Sequence, residues 1–253
     1  HRAGRSSAPR RRASTATAYL APSRKRENLD VATEALTDRI LFAGGRAIGV
    51  AYRRRGTEFT AFAERDVLLA AGSFNSPQIL LRSGVGAARA LAALSIPVVA
   101  DLPGVGANLH NHYRASIVVQ CREPVTLNDG MRRLSSRVAM GVAWWLRGAG
   151  PLAAATYAGG FMRTSAKASR PDAQVTFWTY SVARRDAHGL ELHPYSAFTA
   201  NAALLRTESR GVVELAGRDP TKPPRIRFNH LATRGDRRTL AAALAQTRRI
   251  LRM

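Results

Sequence analysis

Gly72-Ser73-Phe74-Asn75-Ser76-Pro77-Gln78-Ile79-Leu80-Leu81-Arg82-Ser83-Gly84-Val85-Gly86 is the stretch whose reading decides the fold. Just upstream, Asp66-Val67-Leu68-Leu69-Ala70-Ala71 is an apolar run of the kind buried on both faces in a parallel sheet, and Gly72 ends it. Ser76-Pro77 predicts a helix start, with a hydroxyl at the N-cap and proline at the first helical position, and Ser83-Gly84 predicts its glycine stop. The unit reads as strand, glycine turn, helix. Ligand crevices of α/β folds lie at the carboxyl ends of such strands, where glycine lets backbone approach a ligand; a tight turn with no ligand explains the same glycine equally well.

Moving upstream, Leu29 to Thr33 reads as a short strand. Arg39 to Phe42 runs into Gly44-Gly45, a turn pair that permits positive φ, and Ala47 to Tyr52 and Thr57 to Ala63 continue what reads as a β-meander. Downstream of Tyr113, alternating segments at Ala115 to Gln120, Ala173 to Thr179, Ser196 to Ala203 and Val212 to Leu215 predict an antiparallel sheet, with helical material including Trp144-Trp145 between them. From Asp236 onward, Leu240, Leu244, Thr247, Ile250 and Leu251 recur at helical spacing up to Met253 with no stop signal. With the start at His1 rather than Met, this is the pattern expected of an internal piece of a longer protein.

Composition narrows the function classes. The 253 residues carry 39 Lys+Arg against 17 Asp+Glu, a formal charge of +22, with 45% hydrophobic residues, enough for a buried core. The lone Cys121 cannot form an internal bridge or contribute to a cysteine metal cluster, and reads as an ordinary strand residue. The uncharged stretches Val67 to Leu81 and Gly148 to Met162 fall short of the roughly 20 residues that span a bilayer, so no transmembrane helix is expected. The expected location is the cytoplasm, with peripheral membrane association left open. The arginines are spread along the chain and the lysines are only Lys25, Lys167 and Lys222, which argues against a clustered nucleic-acid surface. His110 and His112, two apart on a loop, and His188 and His193 read as structural rather than as metal ligands.

The Gly72 to Gly86 string resembles, position by position, the second signature of the glucose-methanol-choline oxidoreductase family. Asp101-Leu102-Pro103-Gly104-Val105-Gly106-Ala107-Asn108-Leu109-His110-Asn111-His112 is similar to the family's L-P-G-V-G-x-N-L-Q-D-H segment, with His110 for Gln and Asn111 for Asp. Arg12-Ala13-Ser14, Ala18-Tyr19-Leu20, the Asn28 to Ala51 meander, Ala158-Gly159-Gly160-Phe161, Ser209-Arg210-Gly211 and Asp219-Pro220 to Asn229 extend the likeness, in the style of the choline and alcohol dehydrogenase branch. The resemblance implies an α/β (α+β) fold: part of a Rossmann-like FAD-binding domain over 1–112 and an antiparallel-sheet substrate domain over 113–253.

It also implies FAD as cofactor, a small alcohol as substrate and an electron acceptor that the sequence does not identify. In the family, hydride passes from the alcohol carbon to the flavin N5 while a histidine takes the hydroxyl proton. No G-x-G-x-x-G after a strand occurs in these residues, and the family's late histidine has no counterpart here, so no catalytic residue is assigned and the chain alone is expected to be inactive. By the resemblance, the cofactor set is Thr37, whose backbone would face the adenine, Ala71 and Gly72 at the strand end, and Asn108 in the following loop. Relatives acting on choline carry Glu immediately before A-G-G-F; Tyr157 stands there, which removes the ion pair to a quaternary ammonium and makes a neutral alcohol the expected substrate. Trp178, with Phe177, is assigned to the same pocket against the alternative of sheet core. A non-catalytic interaction module and a basic nucleic-acid binder are the competing classes.

Overall fold

The computed structural model describes residues 14–148, 150, 156–187 and 189–253, together with the side chains of all of these except Thr156 and Tyr157. His188 and the Arg12-Ala13 pair lie outside the described residues. A π-helical turn over Ala16–Leu20 runs into α1 (Ala21–Ser23). Then come β1 (Ala35–Ala43), β2 (Arg46–Arg54), β3 (Thr57–Phe62), α2 (Gly72–Arg82), β4 (Val85–Gly86), α3 (Ala88–Ala93) and β5 (Ala100–Asp101). The next stretch holds β6 (Arg114–Gln120), α4 (Leu127–Arg132), α5 (Leu134–Arg147), β7 (Thr156–Met162) and β8 (Ala173–Trp178). It continues with β9 (Val182–Asp186), β10 (Gly189–Leu192), β11 (Ala197–Leu204), β12 (Val212–Glu214), β13 (Arg225–Arg227) and α6 (Arg234–Ile250).

Two compact units result. One comprises Val31–Asn111 and Thr207–Arg234; the other comprises residues 14–30, His112–Arg206 and Gly235–Met253. A single cut after residue 112 is not how the contacts fall. Residues 207–234 return to the first unit because Leu109 and Gly211 exchange backbone hydrogen bonds of 3.0 and 2.6 Å, Val213 N–H reaches Gly106 O at 2.7 Å, and Phe74 meets Phe228 edge-on at 6.1 Å.

In this meander unit β1, β2 and β3 form an antiparallel sheet in that order. Gly44 and Gly45, at φ 55° and 79°, close the first hairpin in the left-handed region that the sequence anticipated. Leu29 to Thr33 forms no strand; the first strand starts instead at Ala35. Leu81, Leu91 and Ile96 form the buried cluster, with Leu94, Val105 and Leu215 packed on it. β4 and β5 make a two-residue parallel pair.

The sheet is fastened to α2 by polar groups. A bulge between Thr37 and Arg39 pushes Asp38 out of register with β2. Arg82, its side chain 6% exposed, donates from Nε to Asp38 O at 2.8 Å and from Nη2 to Thr37 O at 3.3 Å, with Nε also 3.3 Å from Asp38 Oδ1. The next residue completes the clamp: Ser83 Oγ accepts from Ile40 N–H at 2.8 Å and donates to Ile79 O at 2.5 Å. Desolvation lowers the Arg82 pKa from its ordinary value; Asp38 and Asp219 work against that fall.

The second unit is built on a four-stranded antiparallel sheet in the order β6-β11-β8-β7. Three of the segments read as antiparallel from the sequence join it; Val212 to Leu215 does not, because β12 pairs with β13 in the other unit. Ala173, Ala202 and Ala243 are fully buried together, so small side chains let α6 lie close against β8 and β11, with Met162 and Leu244 filling the margin. Cys121 follows β6 directly, its N–H bonded to Ser196 O at 2.9 Å.

Removing one member of a buried, hydrogen-bonded charge pair leaves the other uncompensated. Arg82→Met is expected to destabilise the meander unit by about 3 kcal/mol, and Ser83→Ala by about 1–2 kcal/mol. Chemical denaturation followed by tryptophan-independent far-UV circular dichroism measures both; losses below a few tenths of a kcal/mol would show the clamp to be incidental.

Candidate functional site

The Asp66 to Ala71 run is not the buried parallel strand that its composition predicts. Among the described residues it pairs with no strand, and Leu68 is 90% exposed, so the apolar content lies open along one side of the meander unit. A parallel strand needs neighbours to take its N–H and C=O groups, and the described residues supply none there. The helix that follows also starts earlier than Ser76-Pro77 suggests. It begins at Gly72 and carries Pro77 inside, while Ser76 Oγ turns back to accept from Ala71 N–H at 3.1 Å. The hydroxyl thus serves the residue before the helix rather than its first turn.

These features create an open ledge. A cavity of about 530 Å³ is lined by Thr37, Val50, Phe62, Leu68, Ala71 and Ile79, among others. Gly72 follows Ala71 at φ 83°, with nothing within 4 Å of where a Cβ would stand. The left-handed backbone therefore requires glycine for conformation, while the space beside it is free. The first N–H groups of α2 have no partners within their own helix, as at every helix N-terminus, and the local field there favours an anion.

The structure brings together Thr37, Ala71 and, next in chain, Gly72. The carbonyl of Thr37 already accepts from Arg82 and the N–H of Ala71 from none but Ser76 receives a proton, so what these two residues offer is mainly shape and apolar surface. Asn108 is elsewhere. At φ 58° it lines a second cavity of about 240 Å³ with Ser73, Pro77, Leu109, His110 and Val213, on the same helix but not in the same recess. His110 Nδ1 lies 3.0 Å from Asn108 O, and no cluster of three or more His, Cys, Asp or Glu residues occurs among the described residues.

Trp178 belongs to the sheet unit. Register places Arg114, Ser116 and Val118 of β6, Thr199 and Asn201 of β11, and Thr176 and Trp178 of β8 on one face, opposite the face that packs on α6. Trp178 stacks on Tyr180 at 5.5 Å, and the Arg114 guanidinium sits 4.5 Å from its ring centroid. A cavity of about 210 Å³ opens there. Trp178 is therefore a cavity wall and not sheet core. Tyr157 is the extra residue of a bulge in β7, between Thr156 and Ala158.

The rim of this cavity is held by a residue that sequence reading passed over. Asn128, 1% exposed, sends Nδ2 to the carbonyls of Ser181, His193 and Tyr195 at 3.1–3.3 Å, and its Oδ1 accepts from Ser181 N–H at 3.0 Å. It is placed by the capping box of α4, in which Asp129 Oδ2 accepts from Thr126 N–H at 3.0 Å and Thr126 Oγ1 at 2.9 Å. The spacing Thr126-x-x-Asp129 was the available signal. Arg114 and Arg185 had none, since arginines on alternating strands are ordinary.

Comparison with known proteins gives the lineage. Residues 4–114 match the N-terminal and residues 207–253 the C-terminal family model of the GMC oxidoreductases, together more than half of the chain. The chain belongs to the GMC oxidoreductase family. An oxygen-dependent choline dehydrogenase of Burkholderia vietnamiensis is 43% identical over 244 residues, 96% of this chain and 42% of that protein. The chain thus spans under half the length of the curated relatives it matches. The fold agrees with that of formate oxidase from Aspergillus oryzae, with TM-score 0.80 and 22% identity over 89% of this chain and 44% of the other. It agrees likewise with pyridoxine 4-oxidase from Mesorbium loti, with TM-score 0.75 and 24% identity over 95% and 43%. The GMC match covers the clamp and the ledge alike. Among the described residues no helix is long and apolar enough to cross a membrane.

Two outcomes are expected. Gly72→Ala meets no neighbour, so its cost is that of a left-handed L-residue alone, about 1 kcal/mol, read from the shift of the denaturation midpoint. Desolvation opposes ionisation of Asp129, but hydrogen bonds from Ser196 and Thr126 outweigh it and hold the carboxyl below the usual carboxylate range. Its stabilising contribution is therefore complete above the unfolded-state value near about 4 and is lost as pH falls through the lower folded-state value. Asp129→Asn should flatten the acid limb of the stability profile below about pH 4 while leaving the slope at neutral pH unchanged, as followed by urea titration at each pH.

Proposed function

We propose that this chain supplies the later part of the flavin-binding domain and most of the substrate domain of an FAD-dependent oxidoreductase acting on the CH–OH group of a small primary alcohol. The observation that carries the reading is the open apolar ledge ending at Gly72, inside the segment matched to the GMC family. Its residues fit a flavin dinucleotide. The ledge is apolar and unpaired, the left-handed glycine leaves its flank free, and the α2 N-terminus offers N–H donors to an anionic group. Thr37, Ala71 and Gly72 would hold the cofactor through backbone and shape, with Asn108 contributing from the neighbouring recess.

FAD, when bound, supplies the acceptor for the hydride that leaves the carbinol carbon as the alcohol becomes an aldehyde. The hydroxyl proton goes to a base that no residue of this chain provides, which is why the chain by itself is expected to be inactive. Its own residues exclude water along the ledge and orient the alcohol from the sheet unit, where Trp178, Tyr180 and the Tyr157 bulge shape the pocket wall. The relatives' name carries choline into the range of substrates, while Tyr157 in place of their carboxylate argues against it.

The protein produced at its gene-encoded length should purify yellow, with flavin absorbance that bleaches when a primary alcohol is added without oxygen. Gly72→Val should lower flavin content at least about tenfold, the equivalent of roughly 1.4 kcal/mol of binding. A folded, colourless protein that takes up no added FAD would refute the proposal.

A further inference from the structure

The cavity beside Trp178 carries charge that nothing in the protein neutralises. Arg114 contributes from β6 and Arg185 from β9, and no carboxylate lines the space. The neighbouring ion pairs of the hairpin are made by Arg184, whose Nε lies 3.3 Å from Asp186 Oδ2 and 3.2 Å from Glu191 Oε2. Arg114 and Arg185 make no ion pair among the described residues, and Arg114 has only the π-face of Trp178 beneath it. Two guanidiniums facing one recess of about 210 Å³ repel each other unless an anion enters.

The hydroxyls lining the same recess are polarised the other way. Ser116 spends its proton on Asn201 Oδ1 at 2.7 Å and Thr199 spends its proton on Tyr180 O at 2.8 Å, so each presents oxygen lone pairs. Acceptor oxygens suit a hydroxyl group, and the guanidiniums suit a carboxylate through paired N–H donors. The aromatic walls of Trp178 and Tyr180 suit a flat or apolar body between the two.

We infer that this cavity binds a hydroxy acid, that is, a primary alcohol whose carboxylate is held by Arg114 and Arg185. The inference rests on the proposed alcohol oxidoreduction for the word substrate, but not for the binding itself. It replaces the neutral alcohol expected from Tyr157 alone. Loss of the family's carboxylate at that position and gain of unpaired cations on the same sheet shift the pocket's preference from cation past neutrality to anion.

Benzoate, benzyl alcohol and benzyltrimethylammonium are isosteric probes of the three charges and need no flavin. Titration calorimetry on the chain should show benzoate binding at least about tenfold tighter than benzyl alcohol, weakening as salt rises, with no binding of the cation. Arg114→Gln and Arg185→Gln should each weaken benzoate about tenfold or more and leave benzyl alcohol unchanged, while Arg114→Lys should keep part of the preference. Circular dichroism establishes that each variant is folded, and Arg185, exposed on the hairpin, gives a test that does not depend on the sheet. Equal affinity for benzoate and benzyl alcohol, or benzoate binding indifferent to both arginines, overturns the inference. Benzoate binding by a protein that takes up no FAD would sink the oxidoreductase reading alone; alcohol-dependent flavin bleaching without anion preference would sink this inference alone.

Discussion

Asp38 is a carboxylate folded into the protein at a strand bulge, and the meander unit is organised around satisfying it. The bulge frees two carbonyls and one N–H from the β1–β2 ladder, and a buried charge would be costly with nothing to meet it. Arg82 and Ser83, consecutive residues at the end of α2, supply those partners, with Arg39 adding a contact from its own strand at 2.9 Å. Because the helix is pinned at its C-terminal end to β1, its N-terminal end is fixed relative to the same sheet. The ledge ending at Gly72 inherits its geometry from that attachment. A contact that looks like a stability feature is therefore also what holds Thr37 and Ala71 on the walls of one cavity.

Local chemistry made some of this legible in advance. Gly44-Gly45 announced the hairpin because only left-handed backbone closes so short a turn without splaying the strands, and Gly84 announced the end of α2 for a related reason, at φ 82°. The same local logic misplaced the helix start. Ser76-Pro77 has the form of a cap, but the serine hydroxyl bonds backward to Ala71, and four more residues join the helix ahead of it. Short motifs specify a hydrogen bond without specifying its direction.

Longer-range pairing was the harder part. Val212 to Leu215 alternates as well as the strands of the sheet unit do, and period-2 alternation says only that one face is buried, not against which partner. The partner, β13, lies just downstream, and both strands return to the unit that holds Leu109. The run at Asp66 to Ala71 failed in the opposite sense: its composition describes a fully covered strand, yet coverage is a property of the neighbours and cannot be read from the strand itself. The cavity arginines were illegible for a similar reason. Arg114 and Arg185 become notable only when register and hairpin place them around Trp178 without an acid.

Scaffold and substrate charge are separable quantities in this family, and the present chain shows why a 43% identical choline dehydrogenase does not by itself settle the ligand. Most of the shared residues serve turns, caps and packing that any member needs. The charge of the pocket rests on far fewer positions. Tyr157 alone removes a negative group, and Arg114 alone, stacked on an aromatic ring that could otherwise receive an ammonium, occupies the π-face with a cation of its own. An incoming quaternary ammonium would have to displace that guanidinium and then meet Arg185, whereas a carboxylate gains from both. Selectivity of this kind needs no change in fold, because like-charge juxtaposition rejects the wrong partner while the rest of the wall stays in place.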